Sequence, residues 1–139
     1  MTSEKLRLVK SYSEDIDLAD FTDGGDATGY KDLDANLPAG ALVLGWKAEI
    51  TTAFAGTTSA TMMVGVSGDT DRFSADTSGS IIAAANKASL ALAADAGKSI
   101  GAAITPRVTI SDTKGTSPDF GDFTAGALTL TIYFIDTNE

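Results

Sequence analysis

Two segments of this sequence alternate so regularly that they admit one fold class. From Ala41 to Ala53, Leu42, Leu44, Trp46, Ala48 and Ile50 fall on one face of an extended chain. Val43, Gly45, Lys47, Glu49 and Thr51 fall on the other. From Ala127 to Asp136, Leu128, Leu130, Ile132 and Phe134 share a face, with Thr129, Thr131 and Tyr133 opposite. Period two with one apolar side is the pattern of a strand whose inner face packs on a core. Neither strand can cover its apolar stripe alone, so a second layer of sheet is required.

Shorter segments supply that layer. Lys5 to Tyr12 alternates and reads as a first strand, with an extended piece over Asp15 to Leu18. Tyr30 to Leu33 re-enters a sheet after the turn-rich run Asp23, Gly24, Gly25, Asp26 and Gly29. Ser59 to Val66, with Met62, Val64 and Val66 inward, is expected to pair with the preceding long strand as an antiparallel hairpin. Thr105 to Asp112 is a further strand, with Pro106 at its start, where a strand tolerates proline. The Ala-rich stretch from Asp76 to Gly97 is compatible with helix by propensity and with a short strand near Ser89 to Leu92.

The expectation is therefore an all-β, jelly-roll-like antiparallel β-sandwich, a single domain over residues 1–139, with residues 1–12 an arm or the first strand. Long loops at Gly24 to Lys31 and Asp112 to Gly121 favour crossing connections over a plain meander. The expected core includes Leu44, Trp46, Ile50, Met62, Val64, Leu128, Leu130, Ile132 and Phe134. Two short motifs occur twice. Asp20-Phe21-Thr22 returns as Asp122-Phe123-Thr124, and Ala39-Gly40-Ala41-Leu42 as Ala125-Gly126-Ala127-Leu128.

Composition removes whole classes of chemistry. The 139 residues include no Cys and no His. Disulfides, Cys/His zinc sites, a Ser-His-Asp triad and a cysteine nucleophile are all excluded. Ten Lys and Arg against 19 Asp and Glu give a net charge of −9. The cations are scattered, so no nucleic-acid surface is expected. No run approaches the ~18 apolar residues of a membrane span. Met1 to Val9 has no apolar core of the kind a secretory leader carries.

The remaining motifs fail on their own terms. Gly97-Lys98-Ser99 resembles the end of a phosphate loop, but position 92 is Leu where that motif needs Gly. Ser111-Asp112-Thr113-Lys114 fits S-x-x-K but ends a strand instead of opening a helix. Asp32 to Val43 begins like a calcium loop, yet has Leu37 at its sixth position and Val43 at its twelfth. Asp69 and Asp71, with Asp76 nearby, are the residues that could line a cation. No cofactor and no catalytic set is expected, and the chain is read as a non-enzyme.

One stretch carries a resemblance. Asp20 to Phe73 holds a DFTD loop, Leu37-Pro38-Ala39-Gly40-Ala41, a long strand ending Thr52-Ala53-Phe54, and Val64-Gly65 followed by Gly68-Asp69-Thr70-Asp71. The closing strand Ala125 to Tyr133 fits the same pattern. This order resembles small structural proteins from the morphogenesis region of tailed bacteriophages. The resemblance covers about half the chain plus its last strand. It implies a virion protein at the capsid surface, made in the host cytoplasm. Such proteins decorate or cement capsids, commonly as homotrimers, with the major capsid protein as partner, or serve in head fibres or tails. Lys5, Arg7 and Lys10 hold three of the ten cations and are interface candidates for a neighbouring subunit or the shell. The rival reading is a β-sandwich module that binds a glycan or cell surface, Ca²⁺-assisted through Asp69 and Asp71.

Overall fold

The computed structural model describes residues 9–74, 81–82, 86–90 and 100–137, with backbone only for 86–90. Eight strands run in chain order among them. They are β1 (Lys10–Asp17), β2 (Thr22–Asp23), β3 (Thr28–Asp32), β4 (Ala41–Ala55), β5 (Ala60–Val66), β6 (Asn86–Leu90), β7 (Pro106–Asp112) and β8 (Ala125–Asp136). Short 3-10 turns occupy Leu18–Asp20 and Phe120–Asp122.

The strands form two antiparallel four-stranded sheets, ordered β1-β8-β4-β6 and β2-β3-β7-β5. Apart from the small β2–β3 pair, successive strands alternate between the sheets. The chain therefore crosses the sandwich at nearly every connection, which is jelly-roll-like wiring. The expected β4–β5 hairpin is corrected by this order: β5 pairs with β7, and β4 lies between β8 and β6. Each strand has one apolar face. The two faces meet across the core, so the short link between the strands turns from one sheet into the other.

Of the first strand expected over Lys5 to Tyr12, residues 5–8 lie outside the described residues. β1 runs from Lys10 to Asp17 in full register with β8, Lys10 opposite Phe134 and Asp17 opposite Ala127. In the Ala-rich region, Asn86–Leu90 is extended and pairs with β4 from Gly45 to Glu49. Pairing to a long central strand overrides helix propensity there.

Between the sheets lie Ile16, Val43, Trp46, Ala48, Ile50, Phe54, Met62, Val64, Val108, Ile110, Leu128, Leu130, Ile132 and Phe134, all buried. Leu44 is not among them and is only partly buried. The cause is a bulge. Val43 pairs with Phe134 and Gly45 with Tyr133, which leaves Leu44 as an extra residue without a partner. One inserted residue reverses the side-chain parity of a strand. Ala41 and Val43 thus face inward before the bulge, and Trp46, Ala48 and Ile50 after it.

Trp46 links the core to the turn after β5. Its Nε1–H donates to the Phe73 carbonyl at 2.9 Å, and Phe73 is itself buried. At one end of the sandwich four phenyl rings cluster. Phe54 meets Phe21 and Phe123 edge-on at 6.3 and 6.0 Å, and Phe120 meets Phe123 at 5.7 Å. Glycine makes room for them. A Cβ at Gly29 would lie 2.2 Å from the Phe120 ring, and one at Gly126 2.3 Å from the Phe54 ring. Gly29→Ala is expected to lower stability by about 1–3 kcal/mol through overpacking. Gly115→Ala, which meets nothing within 4 Å, is expected to stay within about 0.5 kcal/mol of the parent. Urea unfolding of the two variants measures the contrast.

Candidate functional site

The doubled Asp-Phe-Thr motif has a structural meaning. In each copy a 3-10 turn ends on the Asp, and the Phe backbone N–H donates back to the first residue of the turn, Phe21 to Leu18 and Phe123 to Phe120, both at 3.1 Å. Each Phe then enters the aromatic cluster. The two copies thus close the same end of the sandwich from opposite sides of the chain. The second doubled motif does not keep one role. Gly40 lies in a turn at φ +87°, whereas Gly126 lies within β8 against Phe54.

Asp112 organises this end. Its side chain is fully buried at the end of β7. One carboxylate oxygen accepts from the Thr57 hydroxyl at 2.5 Å and the Lys114 backbone N–H at 3.0 Å. The other accepts from the Asp119 backbone N–H at 2.9 Å and lies 3.5 Å from Lys114 Nζ. Lys114 Nζ also binds the Asp122 carboxylate, which raises its pKa. Burial pushes the Asp112 carboxyl up, but the hydrogen bonds from Thr57, Lys114 and Asp119 outweigh it and hold the pKa at about 2. Backbone bonds extend the tie to a third loop, with Asp112 N–H donating to Ala27 O and Phe120 N–H to Asp26 O. Ser111 to Lys114, the S-x-x-K motif, is therefore a loop anchor.

At the open edge between β1 and β3, polar groups span the two sheets. Glu14 accepts from the Tyr12 hydroxyl at 2.6 Å and the Asp34 N–H at 2.8 Å, and pairs with Lys31 at 3.5 Å. Desolvation and then the Glu14 hydrogen bond push the Tyr12 phenol up to about 12. Lys31 is held charged above its usual range, first by its hydrogen bond to Asp34. On the outer face of the second sheet, Arg107 forks onto Asp32 at 2.7 and 3.1 Å and stacks over the Tyr30 ring at 3.9 Å. That fork lowers the Asp32 pKa. Neither cluster leaves an acid and a base facing a common space.

Two of the three cation candidates are described. Asp69 and Asp71 sit in a turn whose carbonyls serve the turn itself, Asp69 O accepting from Val66 and Arg72, and Asp71 O from Ser74. Among the described residues no group of three or more acidic side chains is placed to hold a metal. Asp76 lies outside the described residues, as do Lys5, Arg7 and the Gly97-Lys98-Ser99 motif. Lys10, the third interface candidate, opens β1 opposite Phe134 and is partly buried.

Sequence patterning missed a surface feature of the same region. From Ser11 to Tyr30 the chain holds six acidic residues and no Lys or Arg. Five of them, Asp15, Asp17, Asp20, Asp23 and Asp26, are exposed along β1 and the loops that follow it. A running charge count over 20 residues would have found it; strand-by-strand reading does not.

No family model matches the sequence, and no curated protein matches it. Among solved structures, the chain is similar to one from the cyanophage Pam1 capsid asymmetric unit. The TM-score is 0.60 at 18% identity, over 97% of this chain and 91% of that one. At this identity the likeness is one of fold, and it extends over nearly the whole of both chains. No helix among the described residues is long and apolar enough to cross a membrane.

Removing the Asp112 charge tests the loop anchor. A carboxyl whose folded pKa lies near 2 stabilises the fold above its unfolded pKa near 4, and that contribution is lost as pH falls from about 4 to 2. Asp112→Asn is expected to cost roughly 2 kcal/mol at pH 7 and to flatten the acid limb of the stability curve. Thermal melts of both proteins between pH 2 and 7 read the difference.

Proposed function

We propose that this protein is a non-enzymatic structural component of a tailed-phage virion, a decoration or cement protein that stabilises the head. The observation that carries the reading is the fold likeness, nearly end to end, to a chain of a phage capsid asymmetric unit. The Asp20 to Phe73 resemblance to phage morphogenesis proteins supports it independently. So does the architecture. Its loop end is fastened by buried groups, and its conspicuous polar clusters are spent on holding sheets and loops together.

The proposed partners are the major capsid protein and further copies of this chain, in a homotrimer at the outer surface of the shell. Many identical sites on a shell let modest contacts per copy combine through an oligomer. A closed ring also covers sheet edges. Nucleic acid and membrane play no part in this reading, and no cofactor is invoked.

Incubation with expanded, undecorated heads, followed by sedimentation, tests attachment. The protein is expected to pellet with the heads at micromolar concentration and to raise their resistance to heat. Protein that stays in the supernatant contradicts the decoration role, and pelleting only with fibre or tail fractions moves the protein to that position. Light scattering is expected to give a mass near three times 14.2 kDa, unchanged by a calcium chelator. A mass that falls on chelation would favour the calcium-assisted binding module.

A further inference from the structure

We propose that residues 1–8 of one copy add as a strand to the outer edge of β1 in a second copy, guided by the exposed aspartates that follow that edge. This rests on the homo-oligomer part of the function above and not on attachment to a head.

Three observations lead to it. The first is the edge. Among the described residues, β1 has β8 as its sole strand partner and ends its sheet. Among the described residues no strand covers its other side, which presents backbone donors and acceptors as a template for strand addition up to Asp17, whose N–H is held by the Asp20 carboxylate at 2.9 Å. Natural edges are commonly guarded by charge, and this one carries acidic residues that repel any segment except a basic one.

The second is charge. Residues 1–10 hold Lys5, Arg7 and Lys10 against Glu4, a net of +2, in a chain of net −9. Residues 11–30 hold six acids and no base, a net of −6. The most basic stretch of the chain thus directly precedes its most acidic one. Among the described residues none of Asp15, Asp17, Asp20, Asp23 and Asp26 forms an ion pair. Asp15 accepts only a neutral hydroxyl, from Thr129 at 2.7 Å.

The third is connectivity. The segment immediately precedes β1 in sequence, so reaching the outer edge of its own β1 would require a reversal just before Lys10. Met1 to Val9 contains no Gly, Pro, Asn or Asp, and its one other turn-favouring residue, Ser3, lies seven positions before Lys10. A second copy offers the same edge without a reversal. Eight extended residues reach about 26 Å, the length of β1 itself. The pattern Lys5-Leu6-Arg7-Leu8 puts both cations on one side of such a strand, where they can meet Asp15 and Asp17. Because donor segment and acceptor edge are different surfaces, the contact is head-to-tail, the kind that forms a ring when the rotation between copies closes.

A charge-swap cycle tests this. The full chain, a variant lacking residues 1–8, the Lys5→Glu/Arg7→Glu variant, the Asp15→Lys/Asp17→Lys variant and the combined fourfold variant are compared by sedimentation equilibrium. Circular dichroism melts check that each is folded. Deletion and each single-sided reversal are expected to weaken self-association by about tenfold or more at low salt. The fourfold variant is expected to recover to within about threefold of the parent, which a merely damaged fold would not do. Self-association that is indifferent to deletion and reversal overturns the proposal, as does failure of the fourfold variant to recover. A parent chain that remains monomeric at about 100 µM also overturns it. Failure to bind heads would leave this contact standing and count only against the decoration role.

Discussion

A buried carboxylate fixes the end of this sandwich on which the rest of the fold depends. Asp112 terminates β7, and its two oxygens collect donors from the loops at Thr57, Lys114 and Asp119. Thr57 lies in the link from β4 to β5, and Lys114 and Asp119 in the connection from β7 to β8. Since β4 pairs with β8 in one sheet and β5 with β7 in the other, Asp112 joins two connections that each step between the sheets. An unpaired carboxylate in that position would be costly, so the donors must be in place for the fold to close. The phenyl cluster beside it adds apolar area to the same junction, and the two Asp-Phe-Thr turns aim their rings into it.

Crossing wiring also explains which sequence inferences were sound. The long alternating strands are where they were expected, because one-sided burial imposes period two wherever the strand pairs. Trp46, Ile50, Met62, Val64, Leu128, Leu130, Ile132 and Phe134 are all buried. Leu44 shows the limit of the method. A bulge leaves no residue signature here, and it turns the face of everything before it. The β4–β5 pairing was inferred from a short link between two strands, but link length alone does not distinguish a hairpin from a step between sheets.

The candidate sites were readable to different depths. The phosphate and calcium-loop motifs fail on residue identities, and the S-x-x-K motif on its place at the end of an expected strand. What Asp112 does could not be read, since its partners lie 2, 7 and 55 residues away and meet only through topology. The acidic run from Glu14 to Asp26 was in plain view as composition but has no periodicity, so a search for strands passes over it.

The functional account joins a loop end fastened by a buried carboxylate to an acidic sheet edge that no other described strand covers, on a fold similar to that of a chain of a phage capsid asymmetric unit. A shell component needs both properties: a body that keeps its shape and an edge by which copies can be ordered. The most direct measurement is an electron cryomicroscopy map of expanded heads with and without the added protein. The account predicts sandwich-sized density at a repeated lattice position on the outer surface, with neighbouring lobes joined in rings. A shell that looks the same with and without the protein would contradict it.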